Sequence, residues 1–329
     1  MVKRVGLIGA GWIGTAHGTN LARRIPGAEL AAIADPAPGA AARLAAELSC
    51  PDVYTDPMDL LADASIEAVV VAAPSDRHAD LVVAASEAGK AVFCEKPMAL
   101  TLADADRAIE AARRAGVALQ VGFNRRYAAD FRAAYNVIAE GGIGRPQLLR
   151  SVTRDPVLAD PAAVMPWAIF VQTLIHDFDT LCWFNPGAEP VEVYAVADAL
   201  IRPDWKERGL LDTAVVVVRF DNGALGTAEA SFQAVYGYDI RGEVFGSAGM
   251  VTAGDVRQTS MAHYRADGYS SPTVRLNTEL FDDAYRAELA AFIDGAGGGP
   301  TGHDARRALA IALAAIESVR GAAPVAVKP

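Results

Sequence analysis

Residues 2–15 read VKRVGLIGAGWIGT. The apolar run Val5–Ile8 predicts a short strand. Gly9-Ala10-Gly11-Trp12-Ile13-Gly14 follows it at once, giving G-x-G-x-x-G spacing ahead of a helical pattern. Each glycine has a mechanical reason. Gly9 permits a tight turn, Gly11 lets backbone approach a pyrophosphate, and Gly14 lets the helix pack close on the strand. The helix N-terminus then faces the phosphates, with Trp12 and Ile13 in its first turn. A second apolar run, Leu30–Ala34, ends in Asp35, about 20 residues past the glycines, where such folds place the acid that holds the adenosine ribose hydroxyls. A carboxylate there repels a ribose 2′-phosphate. At about 4 Å and an effective dielectric of about 20, one such pair costs about 4 kcal/mol, or about a thousandfold in affinity. Pro36, Ala37 and Pro38 follow, so no arginine stands beside Asp35 to receive a phosphate. The expected cofactor is NAD rather than NADP. The competing reading of Asp35 is a loop acid capping a helix that starts near Gly39.

The rest of the composition agrees with a globular protein. The chain has 329 residues, room for two domains with real cores. Its hydrophobic fraction of 52% excludes a disordered polymer. No apolar run approaches the roughly eighteen residues that suggest a membrane span. Lys3 and Arg4 ahead of an apolar segment superficially resemble a signal peptide, but glycines interrupt that segment and the nucleotide-binding reading explains them better. A net charge of −10 argues against nucleic acid or an anionic membrane surface as partner. Cys50, Cys94 and Cys182 are scattered and never paired as C-x-x-C. They suggest a reducing cytoplasm, buried thiols and no zinc site, and no acid–histidine spacing elsewhere suggests another metal.

Outward from the opening motif, strand and helix patterns alternate. Apolar runs at Val5–Ile8, Leu30–Ala34, Ala68–Ala73, Ala91–Cys94 and Val117–Val121 are separated by helical segments near Gly14–Arg24, Gly39–Leu48, Arg77–Ala88 and Leu102–Ala115. This predicts an α/β domain over residues 1–122, a doubly wound parallel sheet of Rossmann type. Over residues 123–329 the grammar changes. Helices are expected at Tyr127–Ala139 and Val171–Phe184. Strands then follow one another at Val191–Ala197, Thr213–Phe220, Ala224–Ser231, Ile240–Phe245 and Met250–Thr252, with Asp221-Asn222-Gly223 as a hairpin turn. Successive strands imply an α+β domain with a largely antiparallel open sheet, one face of which suits a subunit interface. Helical stretches Leu280–Phe292 and Asp304–Ser318 follow, with a return to the first domain as the expectation.

Two constellations offer chemistry. Phe93-Cys94-Glu95-Lys96-Pro97 ends a predicted strand, and ligands of open parallel sheets bind at strand carboxyl ends. Lys96 is thereby placed to hydrogen-bond a substrate hydroxyl and stabilise an alkoxide, although by position alone a solvated surface lysine is the favoured reading. The second is Gln172-Thr-Leu-Ile-His176-Asp177-Phe-Asp179, where a continuous helix puts 172, 176 and 179 on one face. His176 suits an acid/base role, against the plainer reading of a structural histidine. Asp179 reads as a structural hydrogen-bond partner and His17 as packed on the first helix. His78, after Ala73-Pro74, lines the expected cleft or caps the next helix. His263 and His303 have no nameable partner.

Taken in order, GLIGAGWIGTAH, Asp35, AAPSDRH, Glu95-Lys96-Pro97, GFNRRY from Gly122, LIHDFD from Leu174 and AVYGYDIRGEVFGSAGM from Ala234 resemble the glucose–fructose oxidoreductase and inositol dehydrogenase (Gfo/Idh/MocA) family, inositol dehydrogenase branch. The resemblance runs almost end to end. It implies a Rossmann domain plus an antiparallel α/β domain, assembled as a homo-oligomer, usually a tetramer. The implied chemistry is reversible hydride transfer between NAD and a secondary alcohol of a cyclic polyol or sugar. His176 would remove the hydroxyl proton while Lys96 lowers its pKa. Gly9, Gly11, Trp12, Ile13, Gly14, Asp35, Ala73, Pro74, His78, Glu95 and Lys96 would serve the cofactor. Asn124, Arg125, Thr153, Asp155, Gln172, His176 and Tyr236 would serve the substrate.

The departures fall on the substrate side. The family usually carries Asp four residues before the histidine, as a proton relay; this chain has Gln172, which orients groups but accepts no proton. Thr153 and Asp155 stand where His and Asn are typical, and Asn124 where Met is common. A tyrosine expected near the late helix corresponds to Phe281 or to Tyr285 one turn on. Changing several hydroxyl partners predicts a changed substrate, a cyclic polyol or sugar derivative other than plain myo-inositol. Two further readings use the same scaffold: an enzyme that oxidises its substrate transiently and returns the hydride, and a non-catalytic NAD- or sugar-binding sensor.

Overall fold

The computed structural model describes residues 2–156, 164–295 and 297–329. The chain forms two compact units, Met1–Tyr127 with Asp283–Arg306, and Ala128–Asp282 with Arg307–Pro329.

The first unit is built on a six-stranded parallel sheet. Its strands are β1 (Lys3–Ile8), β2 (Ala28–Ala34), β3 (Asp52–Tyr54), β4 (Ala68–Val71), β5 (Ala91–Glu95) and β6 (Leu119–Gly122), in the order β3-β2-β1-β4-β5-β6. That order is the doubly wound nucleotide-binding one, with its switch point between β1 and β4. The helices are α1 (Trp12–Arg23), α2 (Ala40–Leu48), α3 (Pro57–Ala62), α4 (His78–Glu87) and α5 (Leu102–Ala115). Val5, Leu7, Ile33, Val70 and Phe93 are buried together, which is why these strands read as unbroken apolar runs. Leu289, Phe292 and Ile293 join the same core at i, i+3, i+4 spacing. Strand β3 and helix α3 were absent from the sequence expectation. Three residues are too few to show a period, although Asp56 and Pro57 mark the helix start: the Asp56 carboxylate accepts from the Met58 amide at 2.9 Å.

The second unit holds α6 (Ala129–Ala139), β7 (Pro146–Arg154), a π turn (Ile169–Thr173), α7 (Ile175–Trp183), β8 (Pro190–Asp198), β9 (Thr213–Phe220), β10 (Leu225–Ser231), β11 (Asp239–Gly246) and β12 (Gly249–Ala253). Beyond these come a hairpin, β13 (His263–Arg265) with β14 (Gly268–Ser270), then α8 (Asn277–Leu280), α9 (Asp282–Asp294), α10 (Gly302–Gly321) and β15 (Val325–Ala326). All of α9 but its first residue belongs to the first unit, and α10 passes from the first unit into the second. The large sheet runs β12-β11-β7-β10-β9-β8-β15. It is antiparallel except where β10 pairs parallel with β7. Sequence reasoning missed β7 entirely, although it is central. Its inward face alternates Leu149, Ser151 and Thr153, so two of the three positions on that face are polar and the apolar period is hidden. The opposite face of the sheet is exposed and mixed: Leu148, Tyr194, Val196, Val215, Val217, Leu225 and Phe245 stand on it among charged side chains that include the pairs Arg150–Glu229 and Arg219–Glu192.

Candidate functional site

In the first unit the site begins at the turn from β1 into α1. Gly9 has φ of 105°, and a Cβ there would meet the Ala72 carbonyl oxygen at 2.5 Å. A Cβ on Gly14 would strike the Gly9 carbonyl, so both glycines are required by the protein's own backbone. Gly11 differs: a Cβ there meets nothing within 4 Å. Its need for glycine comes from outside the protein, as close approach of a pyrophosphate demands. Helix α1 has no side-chain cap and no acid in its first turn, which leaves its amides for an anion. Asp35 is fixed across the turn, its carboxylate accepting from the Ala10 amide at 2.7 Å and the Ala37 amide at 2.8 Å. These groups open on a cleft of about 1200 Å³. Gly9, Gly11, Trp12, Ile13, Asp35, Ala73 and Pro74 line it, as expected. Thr55, Asp56 and Met58 line it too and were not foreseen, because the segment around β3 and α3 had not been recognised; Arg77, Asp80 and Leu81, from the expected helix after β4, also line it. The donor set fits a nicotinamide dinucleotide: bare helix amides for its phosphates and a carboxylate for its ribose hydroxyls.

Gly14, His78, Glu95 and Lys96 are not among the lining residues. His78 is buried, with Nδ1 2.8 Å from the Pro97 carbonyl and Nε2 2.7 Å from the Ala73 carbonyl. It ties the loop after β4 to the loop after β5. Burial lowers its pKa, and the two carbonyls oppose that shift. Both bonds at once require the protonated ring, so the neutral ring that burial favours donates only one. Glu95 is also buried. Its Oε1 accepts from His17 Nε2 at 2.7 Å and its Oε2 from the Lys96 amide at 3.1 Å. Burial alone would raise Glu95, but the His17 hydrogen bond and the neighbouring Lys96 charge bring it below the usual carboxylate range.

Glu288 on α9 faces the same place, with both carboxylate oxygens buried and unpartnered. Burial, then the Glu95 charge, push its pKa far upward, which favours the neutral acid. Tyr285, one turn away, sets its ring against His17 at 5.8 Å between centroids. Among the described residues, His17, Glu95 and Glu288 have ligating atoms within 4.8 Å of one another. The His17–Glu95 bond already engages two of those three. Asn124 and Arg125 are buried in the 3-10 turn Asn124–Tyr127. The next residue, Arg126, pairs with Asp304 at 3.0 Å. Asp304 is lowered to about 2: burial opposes its ionisation, and Arg126 and the Thr301 hydrogen bonds overcome it.

In the second unit Gln172 and His176 are half-buried, and they do not belong to one continuous α-helix. The Leu174 amide bonds the Ile169 carbonyl at 2.8 Å, closing a π turn that contains Gln172, while His176 lies in the first turn of α7. The helical-face argument that joined 172 to 176 is therefore corrected: the π turn inserts a residue between them. π turns are common at functional sites. Asp179 is buried, in keeping with a structural role. Thr153 donates its hydroxyl to Asp177 at 2.6 Å, and Ser151 donates to the same carboxylate at 2.5 Å. The Asp155 backbone bonds Ser231 and Ala234, and its carboxylate, after burial, helps raise Tyr238. Tyr236 is partly exposed and donates its hydroxyl to Asp239 at 2.8 Å, beside Arg154 and Arg241. Tyr236 thus joins the ion network of β7 and β11 rather than the Thr153–Asp177 pair.

Residues 3–123 match the family described as "Oxidoreductase family, NAD-binding Rossmann fold", and residues 131–252 match the GFO/IDH/MocA C-terminal domain. A myo-inositol 2-dehydrogenase of Thermotoga maritima is 39% identical, over 96% of this chain and 96% of the relative. A scyllo-inositol 2-dehydrogenase (NAD(+)) of Bacillus subtilis is 35% identical, over 98% and 95%. The crystal structure of scyllo-inositol dehydrogenase from Lactobacillus casei, with bound NAD(H) and scyllo-inositol, superposes with a TM-score of 0.92. It is 27% identical, over 99% of both chains.

Proposed function

The chain belongs to the GFO/IDH/MocA oxidoreductase family, whose first domain is an NAD-binding Rossmann fold, and from that premise we propose an NAD-dependent dehydrogenase of inositol-type cyclic polyols. The observation that carries the reading is the cleft, where Asp35 is held by two backbone amides beside an uncapped helix N-terminus. NAD, when bound, supplies the hydride acceptor. Lys96 donates a hydrogen bond to the substrate hydroxyl and favours its alkoxide. His176 takes the hydroxyl proton, a step worth roughly 10²–10⁴-fold in rate. Gln172 orients without relaying, so the proton leaves His176 by exchange with water. Asn124, Arg125, Asp155 and Tyr236 are proposed as hydroxyl-selecting neighbours, and the departures from the family pattern at Asn124 and Asp155 favour a polyol other than plain myo-inositol.

The test is NADH formation, followed by absorbance, across inositol stereoisomers, aldoses, anhydrosugars and sugar acids, with NAD and NADP in parallel. Turnover with NAD on an inositol isomer is expected. Efficient turnover of myo-inositol itself refutes the altered-substrate reading alone. If no NADH forms while NAD still raises Tm, the transient-oxidation or sensor reading replaces the dehydrogenase.

We further propose a homo-oligomer, a tetramer by family resemblance, built on the exposed outer face of the large sheet. Val196 is 58% exposed and Leu148 54%, and with Tyr194, Val215, Val217, Leu225 and Phe245 they give that face an exposed apolar content that a partner subunit would cover. Light scattering after gel filtration should give a multiple of the 34.5 kDa chain, and Val215→Glu should yield monomer. The three buried free cysteines fit a reducing compartment, which we take to be the cytoplasm. Among the described residues no helix is long and apolar enough to cross a membrane.

A further inference from the structure

Family resemblance put Thr153 against the substrate, but its hydroxyl has another occupation. The inward face of β7 presents Ser151 and Thr153, two residues apart, to the start of α7. Their hydroxyls donate separately to the two oxygens of Asp177, at 2.5 and 2.6 Å. All three residues are buried. Hydrogen bonds to a carboxylate are short and strong, more so away from water. Asp177 immediately follows His176, and the π turn immediately precedes α7.

That order matters, because a π turn leaves helical register open. Reversion to α-helical register would advance each later side chain by one residue, about 100° around the axis. His176 would swing with it. Asp177 meets both hydroxyls of β7 only in the observed register. In any other, a buried carboxylate would lose its partners, which is strongly unfavourable.

We propose that Ser151, Thr153 and Asp177 form a clasp that fixes the register of α7 and so aims His176. They are positioning residues, and Thr153 acts through Asp177 without touching substrate. The inference rests on the reading of His176 as the acid/base. It also explains why the central strand carries two hydroxyl residues on its buried face.

The test compares Thr153→Val, which keeps the shape and deletes the hydroxyl, with Thr153→Ser, which keeps the hydroxyl. Steady-state kinetics on the inositol panel and hydrogen exchange of segment 169–177 are measured on both. The clasp predicts that Thr153→Val loses roughly 10²-fold in kcat, as misplacement of a reacting group by about 1 Å does. KM and the ranking of isomers hold, exchange in 169–177 quickens, and Thr153→Ser restores both. A raised KM with a reordered isomer ranking and unchanged exchange means substrate contact, and overturns the proposal. Unchanged kcat with unchanged exchange overturns it as well. Should Thr153→Val fail to fold, Ser151→Ala removes the other hydroxyl and is judged by the same criteria. His176→Ala is the separate control: if it retains full activity, the acid/base reading fails, while the exchange result still decides whether the clasp exists.

Discussion

The cofactor cleft of the first unit and the His176 region of the second are built by different means. In the cleft, function is carried by backbone: an uncapped helix end, a turn only glycine can make, and one carboxylate held by two amides. Around His176 it is carried by side chains whose partners are distant in sequence, as Asp177 is from Ser151 and Thr153. Backbone devices are fixed by local spacing and tolerate little variation. Side-chain devices can be rebuilt with other residues, and three of the departures from the family pattern, at Thr153, Asp155 and Gln172, lie in the second unit.

The largest effect that would sharpen this contrast belongs to the reacting groups themselves. Lys96→Ala and His176→Ala should each lower kcat/KM by roughly 10²–10⁴-fold. Neither change should alter the NAD-induced rise in Tm, since neither residue lines the cleft. A His176→Ala enzyme with undiminished turnover would break the comparison, because the chemistry would then lie wholly in the first unit.

Asp35 gives the next effect. Asp35→Asn removes the charge that repels a 2′-phosphate, and the preference for NAD over NADP should shrink by up to about a thousandfold. NAD affinity should fall as well, because Ala10 and Ala37 lose a charged acceptor. Isothermal titration with both cofactors reads the two changes separately. Gly11→Ala complements it. The fold should be unaffected, since the added methyl meets no protein atom within 4 Å, while NAD binding is lost. Retained NAD affinity would mean that the pyrophosphate does not approach that backbone.

These cases show why one half of the site was legible in the sequence and the other was not. The glycine spacing, Asp35, and the runs that became β1, β2, β4, β5 and β6 rest on local rules, and helix α5 follows its expected bounds, Leu102–Ala115. Strand β7 was invisible because its buried face is polar, and its polarity makes sense only beside Asp177. The π turn was invisible because it obeys no side-chain period, so the spacing of Gln172 and His176 read as one α-helical face. The His17–Glu95–Glu288 cluster joins three segments far apart in sequence, and nothing local announces it. Lys96 was found from the strand-end rule, but the Glu95 carboxylate bonded to its own amide was not.

A smaller effect lies in acid stability. Asp304 is depressed to about 2 in the folded protein, a shift of nearly two units from an ordinary carboxylate. That corresponds to about 2 kcal/mol of stability. Because the folded value is the lower one, this stability is present above the ordinary aspartate range and drains away as pH falls from about 4 toward 2. Asp304→Asn keeps an acceptor for the Thr301 cap but loses the Arg126 pair. Its stability deficit, by denaturant titration, should be full at pH 7 and vanish near pH 2. A deficit that does not change with pH would assign the loss to the cap instead of the charge.

The smallest effect, at acid pH, is expected from Glu288, and its sign is opposite. Its folded pKa is raised, by burial and then by the Glu95 charge. A raised acid contributes stability that is complete below the unfolded value and is lost as pH climbs through the folded one. Below the unfolded value the side chain is neutral in both states, and Glu288→Gln replaces one neutral polar group with another of nearly equal shape. Stability there should change by less than about 1 kcal/mol, within the usual range for a mild substitution. As pH rises above that value the unfolded parent loses its proton while the fold holds it, so the variant should become progressively more stable than the parent. A variant that shows no such gain with rising pH would mean that Glu288 is ionised in the fold. The buried cluster behind Lys96 would then hold two negative charges where the geometry supports one.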